Sequence, residues 1–147
     1  MSKNQSFNLL VVDDDPLIRE SLPLAIPDTW ELQAFAHPNE MNLNLNYHAA
    51  LIDMHYGDIE KAEGLKVIET IHARHPHLEI IAMSGDLSRE LMEKTLKSGA
   101  SRFLAKPLNP DEVHLTLEKI ESFLLLQRAA QRAHTKEVMW IGQSEKS

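Results

Sequence analysis

Three short stretches of the chain are apolar at every position, and a polar residue follows each of them. They are residues 9–12, 49–52 and 80–83. Such continuous runs are typical of strands that are buried on both faces of a parallel sheet. Weaker strands are predicted at residues 30–35 and 101–104. Apolar positions with helical spacing predict helices at residues 17–26, 65–74, 89–97 and from residue 110 onward.

Strands and helices are therefore expected to alternate along the whole chain. This order predicts an α/β fold, with a doubly wound, five-stranded parallel sheet between layers of helices. Ligands of such sheets bind beyond the carboxyl ends of the strands, where the strand order reverses. The polar residues after the three apolar runs are Asp13, Asp53 and Ser84, and we expect them at that edge.

Local signals support the helix boundaries. The expected start and end residues are Asp15 and Pro16 for the first helix, Gly99 for the end of the third, and Asn109 with Pro110 for the start of the last. Pro23 lies inside the first helical pattern and should kink or shorten that helix.

The last helical pattern is longer than one domain needs. Its apolar residues Val113, Leu117, Ile120 and Leu124 have coiled-coil spacing, and the pattern continues beyond them. We therefore expect one domain over residues 1–125, followed by a helical linker and tail over residues 126–147 toward an output domain that is absent from this chain.

Composition limits the classes of partner. Fifteen Lys and Arg against 22 Asp and Glu give a net charge of -7, so we expect no nucleic-acid binding by this chain. The absence of cysteine removes disulfide frameworks and thiolate zinc sites and is consistent with the cytoplasm. No apolar run approaches the roughly 18 residues of a membrane helix, so no membrane association is expected.

An acidic cluster is predicted at the carboxyl edge of the sheet. Asp13 and Asp14 end one buried strand, Asp53 ends another, and Lys106 follows the last. Converging carboxylates repel one another unless a cation joins them, and a hard cluster of oxygen ligands suits Mg²⁺. Acidic residues at strand ends can also simply cap the next helix, and that interpretation suits Asp15.

Four segments of the chain resemble, in order and spacing, the signature motifs of response-regulator receiver domains. They are LLVVDDDP at residues 9–16, ALID at 50–53, IAMSG at 81–85 and FLAKP at 103–107. The resemblance covers about residues 7–125 and implies the flavodoxin-like receiver fold. It also implies a non-enzymatic phosphoprotein of a two-component system or phosphorelay, which receives its phosphoryl group from a sensor histidine kinase or a phosphotransfer protein.

The resemblance also implies a role for each candidate residue. Asp53 would be the phosphoacceptor, Lys106 the cation that contacts the phosphoryl group, Ser84 the hydroxyl that follows it, and Phe103 the aromatic switch. Mg²⁺ would be held by Asp53, directly by Asp14, mainly through water by Asp13, and by the backbone carbonyl of His55, whose imidazole is expected to face solvent. Spreading the charge of the transferring group over Mg²⁺ and an ammonium is what phosphoryl transfer to a carboxylate requires.

Two other functions fit parts of the pattern. A haloacid-dehalogenase-type phosphatase would use Asp13 as nucleophile and Asp15 as acid, but it needs a further acidic pair after a later strand, and it leaves Asp53 unexplained. A pseudo-receiver would be an interaction module that no longer accepts phosphate. Its support is the loop at residues 54–63, which is longer than the family's usual spacing and lacks its proline.

The end of the chain suggests how the signal leaves the domain. The segment WIGQS at residues 140–144 resembles the entry to the ATPase domain of sigma-54-dependent activators, which implies transcription regulation as the output. Phe123, Leu125 and Leu126 leave apolar surface on the last helix. We therefore predict a homodimer through that helix, with a geometry that phosphorylation changes.

Overall fold

The computed structural model describes residues 6–55 and 62–145. Its strands are β1 (Phe7–Val12), β2 (Trp30–Phe35), β3 (Ala49–Asp53), β4 (Glu79–Ser84) and β5 (Arg102–Ala105). Its α-helices are α1 (Pro16–Ala25), α2 (Ala62–Arg74), α3 (Arg89–Ser98) and α4 (Pro110–Glu145). All of the predicted strands and helices are thus confirmed, with boundaries that differ by a few residues at most.

The five strands form one parallel sheet in the order β2-β1-β3-β4-β5. The chain moves outward from β1 to β2 and then returns to build the other half of the sheet from β3, so the strand order reverses between β1 and β3. Val12 pairs with Ile52 in this register. The residues that follow them, Asp13 and Asp53, therefore come side by side at the carboxyl edge.

Both faces of the sheet are covered, as the continuous apolar runs predicted. One core cluster contains Leu10 and Ile52 from the sheet and Ile68 from α2, together with Leu91 from α3. The other face carries the intervening strand residues under α1 and α4. Each fully buried Leu or Ile contributes about 1.5 to 3 kcal/mol, so these two layers fix the positions of the strand ends.

The expected alternation of strand and helix fails between β2 and β3. There the chain forms only a short 3-10 helix, Pro38–Glu40, followed by an irregular segment. Met41, Leu43 and Tyr47 from this segment pack against the core. Met41 and Leu43 are only two residues apart, and a helix would place residues at that spacing on different faces. The side chain of Asn42 accepts a hydrogen bond from the backbone N–H of Asn44 at 3.1 Å, which competes with helix formation.

The predicted helix boundaries are confirmed. The Asp15 carboxylate accepts a hydrogen bond from the Leu17 N–H at 2.9 Å as N-cap of α1, and that helix ends two residues after Pro23. Gly99 ends α3 with φ of 123°, where a Cβ atom would also lie 2.5 Å from the His72 ring. At the start of α4, the Asn109 side chain accepts a hydrogen bond from the backbone N–H of Asp111 at 2.9 Å.

Helix α4 extends past the sheet. Val113, Leu117 and Ile120 are buried against the sheet, so most of the apolar stripe with coiled-coil spacing packs inside the domain. Farther along, the Arg128 guanidinium carbon lies 5.0 Å from the centre of the Phe7 ring, at the amino-terminal edge of the sheet. None of the described helices combines the length and the apolar character that a membrane crossing needs.

Candidate functional site

Three carboxylates converge at the carboxyl edge of the sheet. Asp13 and Asp53 are almost completely buried, and Asp14 is partly exposed beside them. One oxygen atom from each of the three lies within 4.8 Å of the other two. The cluster that the sequence predicted is therefore present, and neighbouring strands bring it together.

Lys106 supplies a positive charge to this cluster. Its Nζ atom lies 2.7 Å from Asp13 Oδ2 and 3.2 Å from Asp53 Oδ1. Its backbone N–H donates to the carbonyl of Ser84 at 3.0 Å, which fixes the residue at the end of β5. The second carboxylate oxygen of Asp13 accepts a hydrogen bond from the N–H of Asp15 at 2.9 Å. Asp13 thus has fixed partners for both of its oxygens.

The environment works against the charge on Asp53. Burial, and then the neighbouring Asp13 carboxylate, raise the pKa of Asp53 above its ordinary value, although the His55 N–H and Lys106 partly oppose them. Burial alone would lower the pKa of Lys106, but hydrogen bonds and charge from Asp13 and Asp53 raise it. Lys106 is therefore a permanent cation at neutral pH, and the ionised Asp53 needs compensation that one ammonium does not fully supply.

The donor set fits a hard divalent cation. Asp13, Asp14 and Asp53 each bring a carboxylate oxygen within 4.8 Å of the others, so a cation between them would relieve their mutual repulsion. The ligand atoms are oxygens at one sheet edge, which is the chemistry that Mg²⁺ prefers when it retains several waters. The described residues Asp13, Asp14 and Asp53 would hold the ion, and the predicted contribution of the His55 carbonyl stays a prediction.

The imidazole of His55 was expected to face solvent, and that expectation is wrong. The side chain is half-buried, and its Nε2 atom lies 3.1 Å from the hydroxyl oxygen of Ser84. The backbone N–H of the same residue donates to Asp53 Oδ1 at 3.2 Å. Ser84 is itself buried at the end of β4, where its hydroxyl also contacts the backbone of Asp86. His55 therefore contacts both Asp53 and Ser84.

Phe103 lies in β5, three residues before Lys106, and its side chain is partly buried. It packs against the core cluster on the face that α2 and α3 cover, and it pairs in register with Ala82 of β4. The ring of Phe103 therefore lies on the face of the sheet that α2 and α3 cover. Its predicted role as a switch stays a prediction.

The phosphatase interpretation finds little support in this geometry. Asp15, which would have to be the acid, caps α1 and is not part of the carboxylate cluster found among the described residues. The acidic pair that such a phosphatase needs after a later strand would have to be Asp111 and Glu112, and both are exposed in the first turn of α4. Asp53, which that mechanism does not use, lies at the centre of the cluster.

Comparisons with known proteins agree with the geometry. A family profile described as response regulator receiver domain matches residues 9–118. The transcriptional regulatory protein ZraR of Salmonella typhimurium is 32% identical over 123 residues, which cover 76% of this chain and 26% of ZraR. The chain spans about a quarter of the length of the curated relatives that it matches first.

Solved structures show the same fold. A CheY-like response regulator receiver domain protein from Methanospirillum hungatei JF-1 superposes with a TM-score of 0.70 at 29% identity, over 85% of this chain and 98% of that one. A response regulator protein from Burkholderia pseudomallei, with a phosphorylated aspartic acid, calcium ion and citrate, has a TM-score of 0.66 at 22% identity. That match covers 86% of this chain and 75% of the other.

Proposed function

The chain belongs to the family of response-regulator receiver domains, and from this premise we propose that it is a phosphorylation-dependent switch with Asp53 as phosphoacceptor. The observation that carries the proposal is the position of Asp53 at the end of β3, with Lys106 Nζ 3.2 Å from its carboxylate and Asp13 beside it. A buried acid with a raised pKa, next to a fixed cation at the point where strand order reverses, is typical of a reactive site.

The proposed reaction transfers a phosphoryl group from a phosphohistidine of a sensor histidine kinase or a phosphotransfer protein. A carboxylate oxygen of Asp53 forms the new bond to phosphorus, the bond from phosphorus to the imidazole nitrogen breaks, and that nitrogen keeps the electron pair. Lys106 stabilises the charge that develops on the phosphoryl oxygens, because its ammonium already lies within reach of the Asp53 carboxylate. The chain itself acts as the acceptor and not as an enzyme with turnover.

The proposed cofactor is Mg²⁺, which when bound would neutralise phosphoryl oxygens during transfer. Asp14 would ligate it directly, Asp13 mainly through water, and the His55 carbonyl would be the third protein ligand. The convergence of the carboxylates within 4.8 Å supports this assignment.

The proposed switch lies in Ser84 and Phe103. An aspartyl phosphate adds strong acceptor oxygens and charge, which Lys106 and the Ser84 hydroxyl can bind differently from a bare carboxylate. Ser84 ends β4, and Phe103 pairs with the same strand from β5. Movement of the hydroxyl toward the phosphoryl group would therefore be accompanied by repacking of the ring.

The proposed output is a change of homodimer geometry through α4. Leu125 packs against the core, whereas Leu115, Phe123 and Leu126 are exposed at 50%, 50% and 69%. These three residues are eight and three positions apart and line a shallow surface groove on α4. Because these side chains are already partly covered, each could gain about 1 to 2 kcal/mol when a second copy buries it, which supports a modest, adjustable dimer.

Beyond the receiver, residues 126–147 would connect to an output domain, most simply one that regulates transcription. ZraR, which the chain matches over a quarter of its length, is a transcriptional regulatory protein. The resemblance of residues 140–144 to the entry of a sigma-54-dependent ATPase domain supports the same output. The whole 147-residue chain has a net charge of -7, so it would not contact nucleic acid itself, and its proposed location is the cytoplasm.

Mass spectrometry after incubation with acetyl phosphate and Mg²⁺ tests this function. The wild type should gain the mass of one phosphoryl group, and Asp53→Asn should gain none. Asp14→Ala should need far more Mg²⁺ for the same yield, whereas Asp28→Ala, which removes an exposed acid, should behave as wild type. Labelling that survives Asp53→Asn but is lost in Asp13→Asn would favour the phosphatase, and no labelling of any form would favour the pseudo-receiver.

A further inference from the structure

The hydroxyl oxygen of Ser84 makes three hydrogen-bonding contacts. It donates to the backbone carbonyl of Asp86 at 3.0 Å and accepts from the backbone N–H of Asp86 at 2.9 Å. The Nε2 atom of His55 lies 3.1 Å from the same oxygen. Ser84 and His55 are 29 residues apart in the sequence, so this last contact bridges the ends of β4 and β3.

Counting donors and acceptors favours one direction for the hydrogen bond between His55 and Ser84. A serine hydroxyl has one hydrogen to donate and two lone pairs to accept. The hydrogen is used by the Asp86 carbonyl, and one lone pair is used by the Asp86 N–H. With the hydroxyl hydrogen on the Asp86 carbonyl, the contact requires the tautomer in which the imidazole donates through Nε2–H to the remaining lone pair. Every hydrogen-bonding position of Ser84 is occupied in that arrangement.

We propose that the His55 imidazole is a positioning residue that holds Ser84 in its resting place. The inference rests on the function proposed above, because a restraint on Ser84 matters only if that hydroxyl moves toward a phosphoryl group. To bind a phosphoryl oxygen, the hydroxyl must redirect its hydrogen and leave the His55 donor. The imidazole thus favours the unphosphorylated arrangement of the site.

The position of His55 couples this restraint to the phosphoacceptor. Its backbone N–H donates to Asp53 Oδ1 at 3.2 Å while its ring contacts Ser84. A displacement of the His55 backbone on phosphorylation of Asp53 would therefore move the ring away from Ser84 in the same step. The ring nitrogens do not belong to the carboxylate cluster found among the described residues, which separates this role from metal ligation.

The expected size of the effect follows from hydrogen-bond strength. One intramolecular hydrogen bond changes an equilibrium by about two- to tenfold in net terms. Removal of the His55 donor should therefore shift the balance between the resting and switched states by that factor. The switch would become easier to set, although its chemical groups would all remain.

Beryllofluoride, a phosphoryl mimic, provides the test in the presence of Mg²⁺. Fluorine NMR of the full chain follows the binding of beryllofluoride, and the amide signals of Ser84 and Phe103 in proton–nitrogen spectra report the switched state. His55→Phe keeps a ring but removes the donor, and its midpoint should fall about two- to tenfold. His55→Gln keeps an N–H at similar reach and should return the midpoint toward wild type. His77→Phe changes an exposed histidine and should have no effect.

The outcomes separate this proposal from the proposed function. Wild-type protein that binds no beryllofluoride would overturn the function and the restraint with it. Normal binding with an unchanged or higher midpoint in His55→Phe would overturn the restraint alone. A second measurement needs no variant: long-range proton–nitrogen NMR spectra of the wild type should show the hydrogen of neutral His55 on Nε2. A bare Nε2 would refute the proposal even if His55→Phe failed to fold.

Discussion

Lys106 forms its shorter ion pair with Asp13, at 2.7 Å, and a longer one of 3.2 Å with the proposed phosphoacceptor. The ammonium is thus anchored on Asp13, and it lies next to the carboxylate of the proposed phosphoacceptor Asp53. Because Asp13 is completely buried, this anchor is protected from competition by water. The site therefore has its cation in place before any phosphoryl group arrives.

The first prediction concerns this cation. Lys106→Met should slow phosphorylation of Asp53 by acetyl phosphate about 100-fold, because removing one fixed donor to a developing anion has an effect of that order. Phosphate incorporation over time at saturating Mg²⁺ measures the rate. Lys97→Met, which removes an exposed lysine from α3, is the control and should leave the rate unchanged. Equal rates for Lys106→Met and wild type would contradict the role.

The second prediction concerns stability. Asp53→Asn should raise the melting temperature at neutral pH by a few degrees, because burial and the Asp13 charge penalise the ionised Asp53. The pKa of Asp53 is raised on folding, so its penalty grows as pH rises from the unfolded value near 3.9 through the folded value. The two proteins should converge as pH falls below that window. Thermal denaturation at several pH values checks the trend, and a less stable variant at neutral pH would disprove it.

The third prediction concerns His48 at the opposite edge of the sheet. Its Nδ1 atom accepts a hydrogen bond from the Asn8 N–H at 3.0 Å, and Arg128 lies beside its ring. Burial first, and the Arg128 charge second, lower the pKa of His48. The stability that the neutral ring contributes is thus complete above the unfolded pKa near 6.5 and is lost as pH falls through the folded value.

Denaturant titrations between about pH 7.5 and pH 5 measure this dependence, with wild type and His48→Gln compared. The wild type should lose more stability than His48→Gln across the window, because only the wild type must break the bond from Asn8 to become protonated. His77→Gln should keep the wild-type slope, since that histidine is exposed. Parallel slopes for all three proteins would rule out a contribution from His48.

The fourth prediction concerns the dimer. Phe123→Glu combined with Leu126→Glu should weaken self-association at least tenfold. The double variant removes two exposed apolar side chains of α4, and its carboxylates would face the same negative charges on the second copy. Sedimentation at micromolar concentration, with and without beryllofluoride, measures the mass. Leu24→Glu alters an equally apolar residue on α1, exposed at 90%, and should not change it. A monomeric wild type under both conditions would refute dimerisation through α4.

Much of the fold could be predicted from local pattern. The runs around Leu10, Leu51 and Ile81 are apolar throughout because α-helices cover both faces of the sheet. Their short length and the polar residues that follow them favour buried strands over buried helices. The link between β2 and β3 was missed because Met41 and Leu43 pack at a two-residue spacing, while the Asn42 side chain accepts a hydrogen bond from the backbone of Asn44. Such a link has no strong periodic signal of its own.

The charged part of the site could be predicted because each acid directly follows a strand, and parallel strands end at one edge. The His55 ring contact could not, since it depends on how a side chain turns after the strand and on a partner 29 residues away. The same holds for Arg128 over Phe7, which joins a helix beyond the sheet to the first strand. Such contacts can be predicted only when the packing of the helices against the sheet is already known.

The contact between Arg128 and Phe7 has a mechanical consequence. Helix α4 is held at Val113 near the carboxyl edge of the sheet and at Arg128 near the amino-terminal edge, so it crosses the domain as a bar with two supports. The 17 residues from Arg128 to the end of Pro110–Glu145 project about 26 Å past the second support. A tilt of about 10° at these supports would carry the far end of the helix through roughly 4 to 5 Å, which is about the rise of one helical turn.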